Sequence, residues 1–196
     1  MERREFIRQS ALCLLGVMAG EWDMLWGEAS KEVPEPMIYK RLFQFAEYTE
    51  RKATEFIVIH HTGNPGVDKD STAEAIHKYH QEHNKWAGIG YHYFIRKDGT
   101  IEQGRRPGMV GAHAKDNNDT SIGICLAGNF EIGKPTEQQM KAAKELCRWL
   151  CSKYGLNPMK KGVIVGHRDV NDTLCPGRNL YKRLGEIRRF CYDGSG

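Results

Sequence analysis

The sequence predicts an α/β fold, a single mixed β-sheet with helices packed on its faces, and three observations carry that prediction. Apolar, β-branched runs at 56–59, 121–127 and 163–166 lack the alternation of a half-solvated strand and suit buried strands. Helix-period segments fall between and after them. Lys97-Asp98-Gly99 separates two β-prone stretches, 91–96 and 100–103, and Asp-Gly in that setting signals a hairpin, which adds an antiparallel pair.

In chain order, residues 31–54 form a charged lead-in with Pro34 and Pro36 early and a helix expected over 37–49. The 56–59 strand turns polar at His60-His61-Thr62-Gly63-Asn64-Pro65, as a buried strand running out into a loop does. A helix is expected from about Ser71, with Ile76 and Tyr79 on one face. The hairpin follows, and then the 121–127 strand, entered from the polar loop 116–119. Thr136 with Gln139 makes a capping box for a long helix in which Met140, Ala143, Leu146, Cys147, Leu150, Cys151 and Tyr154 recur every three or four residues. Gly155 ends it. The strand at 163–166 runs into His167, and Leu180, Leu184, Ile187 and Phe190 give a final helix its apolar stripe.

A length of 196 residues fits one domain plus a short extension, and 40% hydrophobic with 28% charged residues excludes a disordered, collagen-like or polytopic membrane chain. The net charge of +4 is too mild to announce a nucleic-acid partner. Residues 1–30 read as an export signal: Arg3-Arg4 before Glu5-Phe6-Ile7 resembles the twin-arginine pattern, and the chargeless run 10–20 suits a signal h-region and is too short to span a bilayer. The alternative is an amphipathic helix belonging to the fold. Export to the periplasm or beyond the cell is therefore expected, with no membrane span after signal removal. What remains is a modestly basic domain, with 26 basic and 20 acidic residues, suited to an anionic polymer. Five cysteines remain with it; Cys147 and Cys151 lie one helical turn apart, either within reach of Cys191 as a disulfide or all three as buried thiols.

A hydrolytic zinc centre needs about three protein ligands and one open position. His60 and His167 each follow a buried strand, and Cys175 lies eight residues beyond His167 in a Pro-Gly loop able to fold it back. Strand ends hold such ligands in place before a metal arrives. His77, His80 and His83 resemble a metal cluster on paper, but residues six apart on a helix point in different directions, so they are read as surface or partner-facing. His92, next to Tyr91, is read as packing.

Five segments occur in order: Ile57-Val58-Ile59-His60-His61-Thr62, Gly90-Tyr91-His92-Tyr93-Phe94-Ile95-Arg96-Lys97-Asp98-Gly99, Val110-Gly111-Ala112-His113-Ala114, Asn118-Asp119-Thr120-Ser121-Ile122-Gly123-Ile124, and Gly166-His167-Arg168-Asp169 with Cys175-Pro176-Gly177. Together, over roughly residues 55–190, they resemble the zinc-dependent N-acetylmuramoyl-L-alanine amidases, the family of phage amidase lysozymes and peptidoglycan recognition proteins. The resemblance implies that fold for residues 55–192, one zinc ion per chain on His60, His167 and Cys175, and peptidoglycan or muropeptides as partner. It implies catalytic roles for Tyr91, beside the reacting carbonyl, and for Thr173, which stands where some members have a lysine. It also places His113 in the substrate groove. His61 is a substrate contact, a support for the ligands or solvent-facing; Arg105 is a bidentate partner for a stem-peptide carboxylate or a solvated surface arginine. The implied activity is hydrolysis of the amide between N-acetylmuramic acid and L-alanine, the alternative a peptidoglycan-binding module without catalysis.

Overall fold

The computed structural model describes residues 33–193, so the expected export signal at 1–30 lies outside the described residues. Six strands form one sheet: β1 (Ile38–Lys40), β2 (Phe56–His61), β3 (Tyr93–Ile95), β4 (Ile101–Gln103), β5 (Ser121–Leu126) and β6 (Ile164–Gly166), in the order β1-β4-β3-β5-β2-β6. The pairs β3/β5, β5/β2 and β2/β6 are parallel, as is β1/β4 at the edge, while β3/β4 is the antiparallel hairpin expected at Asp98-Gly99. Gly99 turns that hairpin at φ +86°, and Asp98 Oδ1 accepts the Thr100 N–H at 2.9 Å.

The helices are α1 (Ala73–Glu82), α2 (Glu137–Tyr154), α3 (Arg178–Tyr181) and α4 (Leu184–Asp193). The capping box at Thr136 and Gln139 is formed in both directions, and Gly155 closes α2 in the left-handed conformation. The final helix is split, with α3 and α4 separated at residues 182–183. One face of the sheet, with Ile57, Ile59, Ile122, Ile124 and Leu126, packs on Met140, Ala143, Leu146 and Leu150 of α2 and Leu184 and Ile187 of α4. Replacing the fully buried Leu146 by alanine is expected to cost about 2–5 kcal/mol, read as a lower guanidinium midpoint at unchanged slope. The opposite face carries Phe94, Cys125 and Ala127 against Ala73 of α1 and Ile89, and it is this face that builds the site.

The helix expected over 37–49 is not formed. Ile38, Tyr39 and Lys40 pair with Ile101, Glu102 and Gln103, extending the sheet, and Phe43 and Phe45 then both reach the His77 ring. Residues two apart meet one ring only from an extended chain, so edge pairing and a period of two override the helical spacing. Cys151 and Cys191 meet as hydrogen-bonded thiols rather than as a disulfide.

Candidate metal centre

The site grows from the carboxyl ends of β2 and β6, where parallel sheets leave room for ligands. His60, next to last in β2, shares a face with Val58 and is 1% exposed, with Cys125 of β5 opposite it. Gly123, opposite Val58, makes room on this face: a Cβ there would lie 2.5 Å from the His113 ring. β6 feeds directly into a 3-10 turn, His167–Asp169. Asp169 fixes that turn by accepting the Gly166 N–H at 2.9 Å and the Tyr181 hydroxyl at 2.6 Å. The Arg168 N–H donates to the Cys175 carbonyl at 2.8 Å, closing the loop that returns Cys175 to His167.

The result is a cluster in which donor atoms of His60, His167 and Cys175 all lie within 4.8 Å of one another. His60 Nδ1 and Cys175 Sγ are 3.7 Å apart, against about 3.6 Å for the edge of a tetrahedral zinc site with ordinary Zn–N and Zn–S bonds. His60 Nε2 lies 3.1 Å from His113 Nδ1, and His167 Nε2 3.1 Å from Asn171 Oδ1, so each imidazole is braced on one nitrogen and offers the other to the centre. Burial, reinforced by the neighbouring imidazoles, holds His60 well below the usual histidine range, and burial also lowers His167. Burial pushes the Cys175 thiol up to about 12. Two neutral imidazoles are in ligand form, and burial outweighs the nearby Arg168 in keeping the thiol protonated; a divalent cation would supply the further charge that ionises it. Paired imidazoles with a thiolate suit zinc.

Tyr91 lies beside this cluster, its ring centroid 5.2 Å from that of His60, its hydroxyl hydrogen-bonded to Cys125. Burial, then the Cys125 and Cys175 sulfurs, hold the phenol well above 10, so it is a proton donor at neutral pH. Thr173 Oγ1 accepts the Cys175 N–H at 3.2 Å, which leaves its own proton to donate. Thr173 lines a groove of about 560 Å³ with Trp86, Ala112, His113, Lys115 and His167. His113 thus has two faces, one on the groove and one bracing His60.

Two expected substrate contacts lie elsewhere. His61 follows His60 in the strand and so points to the opposite face, where its Nδ1 accepts the Phe130 N–H at 3.0 Å and burial lowers it to about 4. Its backbone N–H instead meets Cys175 Sγ at 3.4 Å. Arg105 is 7% exposed, with Nε on the Ile89 carbonyl at 2.7 Å and Nη1 on the Val110 carbonyl at 2.8 Å. Two nitrogens of its guanidinium are thus held by backbone carbonyls. His77 and His80 are also buried, contrary to the surface reading, whereas His83 is exposed. Asn171 was invisible as a brace in the sequence, its one signal being a spacing of four from His167.

The chain matches the N-acetylmuramoyl-L-alanine amidase family over residues 50–178. It is 34% identical to an endolysin of Enterobacteria phage K11 over 148 residues, 72% of this chain and 93% of the relative. Among solved structures, an N-acetylmuramoyl-L-alanine amidase, LysC, from Clostridium intestinale superposes with a TM-score of 0.70 at 36% identity, covering 79% of this chain and 97% of that one. The Drosophila peptidoglycan recognition protein LB, solved as a mutant in complex with tracheal cytotoxin, gives a TM-score of 0.66 at 31% identity, covering 76% and 92%. With sheet, matched span and relatives in agreement, the chain belongs to the N-acetylmuramoyl-L-alanine amidase family.

Proposed function

We propose that this protein is a zinc-dependent amidase that hydrolyses the bond between N-acetylmuramic acid and L-alanine in peptidoglycan or its fragments. The observation that carries the reading is the convergence of His60, His167 and Cys175 donor atoms within 4.8 Å beside a groove. The tracheal cytotoxin complex of the Drosophila peptidoglycan recognition protein supports the substrate class. A zinc ion bound by these three residues supplies Lewis-acid polarisation of the carbonyl and a more acidic water. The chain's own donors do the rest. Tyr91, protonated at neutral pH, donates to the oxygen on which negative charge develops, and Thr173 adds a second hydrogen bond there. The amide C–N bond breaks, the oxygen of water ends on the lactyl carbonyl carbon as a carboxylate, and the alanine nitrogen takes up both protons of that water and leaves as an ammonium.

Residues 1–30 are proposed as the export signal that delivers the enzyme to the cell envelope; an intact N-terminus on cytoplasmic protein would instead point to soluble, recycled muropeptides as substrate. Mass spectrometry of digested sacculi tests the reaction: stem peptides released without sugar are expected, whereas bound but uncleaved peptidoglycan would identify a binding module. Tyr91→Phe is expected to lower kcat by about 10²–10³-fold with zinc content unchanged, the loss typical of one oxyanion donor. Unaltered turnover would remove Tyr91 from the mechanism.

A further inference from the structure

Tyr91 is not carried by a regular strand, because β3 begins only at Tyr93. The preceding residues Gly88, Ile89 and Gly90 are buried, and buried backbone outside a ladder must find partners of another kind. Two of its N–H groups end on α1. The Ile89 N–H donates to His77 Nδ1 at 3.2 Å, and the Gly90 N–H donates to His80 Nδ1 at 3.0 Å. The carbonyls are held from the other side: that of Gly90 accepts the Ala112 N–H at 3.0 Å, and that of Tyr91 accepts the Arg105 N–H at 2.9 Å. The approach is close enough that a Cβ on Gly90 would lie 2.1 Å from the Ala112 carbonyl oxygen, and one on Gly88 2.6 Å from the His77 ring.

His77 and His80 are three apart on α1 and share its inward face with Ala73. Phe43 stacks on His77 at 4.6 Å, and the Trp86 and Tyr91 rings lie 4.7 and 5.7 Å from His80. Accepting the Ile89 N–H on Nδ1 requires that nitrogen to be unprotonated, which puts the ring proton of neutral His77 on Nε2. Leucine or methionine would fill the same space yet leave two buried N–H groups without partners. Nothing in the packing alone calls for imidazole at both positions; the acceptors do.

We propose that His77 and His80 are positioning residues, a pair of fixed acceptors on α1 that hold the 88–91 segment and thereby aim the Tyr91 hydroxyl at the reacting amide. The aim, but not the holding, rests on the amidase reading.

The test compares leucine with asparagine at each position in the full chain, since asparagine keeps an acceptor oxygen near the place of Nδ1. Amide hydrogen exchange at Ile89 and Gly90 is read beside kcat, KM and zinc content. His80→Leu is expected to speed exchange at Gly90 by about tenfold or more, and His77→Leu to do so at Ile89. In both, kcat should fall about 10- to 100-fold with KM and zinc content little changed, because a small misplacement of a catalytic group costs rate rather than binding. His77→Asn and His80→Asn should restore most of each loss. Unchanged exchange in the leucine variants overturns the holding, and lost protection with full kcat overturns the aim. Should His77→Leu fail to fold, the His80 pair decides. A wild type that releases no stem peptide defeats the amidase reading alone, and the exchange data still decide the holding.

Discussion

Cys175→Ser and His167→Ala are each expected to release most of the bound zinc and to lower amide hydrolysis by about 10³-fold or more. Serine keeps the shape but not the soft sulfur donor, and it leaves His60 Nδ1 facing a hydroxyl where Cys175 Sγ lies at 3.7 Å. The magnitude follows from the several kcal/mol that a Lewis acid contributes to the transition state, at about 1.4 kcal/mol per decade of rate. Neither side chain belongs to the packed core, so circular dichroism should be unchanged. Metal analysis and turnover are the paired readouts. Full zinc retention in both variants would remove the ligand set; zinc loss with unaltered hydrolysis would remove zinc from the reaction.

Acid should unfold this protein steeply, beginning below pH 6.5. His61, His80 and His92 are held neutral chiefly by burial, the first two at about 4 and His92 at about 3. Each uses Nδ1 to accept a backbone N–H, from Phe130, Gly90 and Gly123 respectively. The unfolded chain takes up these protons near pH 6.5 and the folded chain does not, so the unfolded state binds more protons between about 6.5 and 4, and stability falls as pH falls. The loss continues until each folded-state value is passed. The limiting slope is about 1.4 kcal/mol per pH unit for each imidazole, or about 4 kcal/mol per unit for the three together. Guanidinium unfolding at pH 7, 6 and 5 measures it, and a midpoint that stays flat over that range would refute the neutral, acceptor role of these rings.

Much of the scaffold was legible because local signals there agree with the tertiary fold. The runs that became β2, β5 and β6, the Asp98-Gly99 turn, the capping box at Thr136 and the Gly155 stop each act within a few residues of themselves. His60 and His167 were legible as strand-end residues for the same reason. The 37–49 segment was misread because the partner that recruits β1, strand β4, lies some sixty residues away. Orientation was the other blind spot. His61 and Arg105 have side chains suited to substrate, yet the pleat of β2 and the carbonyls of Ile89 and Val110 take them elsewhere.

By itself the sequence determined the central strands, the long capped helix and which side chains have the chemistry to bind a metal, since these are properties of short stretches. Only the tertiary structure decided that donor atoms of His60, His167 and Cys175 converge within 4.8 Å, that His113 and Asn171 brace the two imidazoles, and that α1 turns His77 and His80 inward. Convergence of this kind depends on crossover connections and on which face of a strand or helix is buried. Those are fixed by packing among distant segments, for which no single stretch of chain carries a signal.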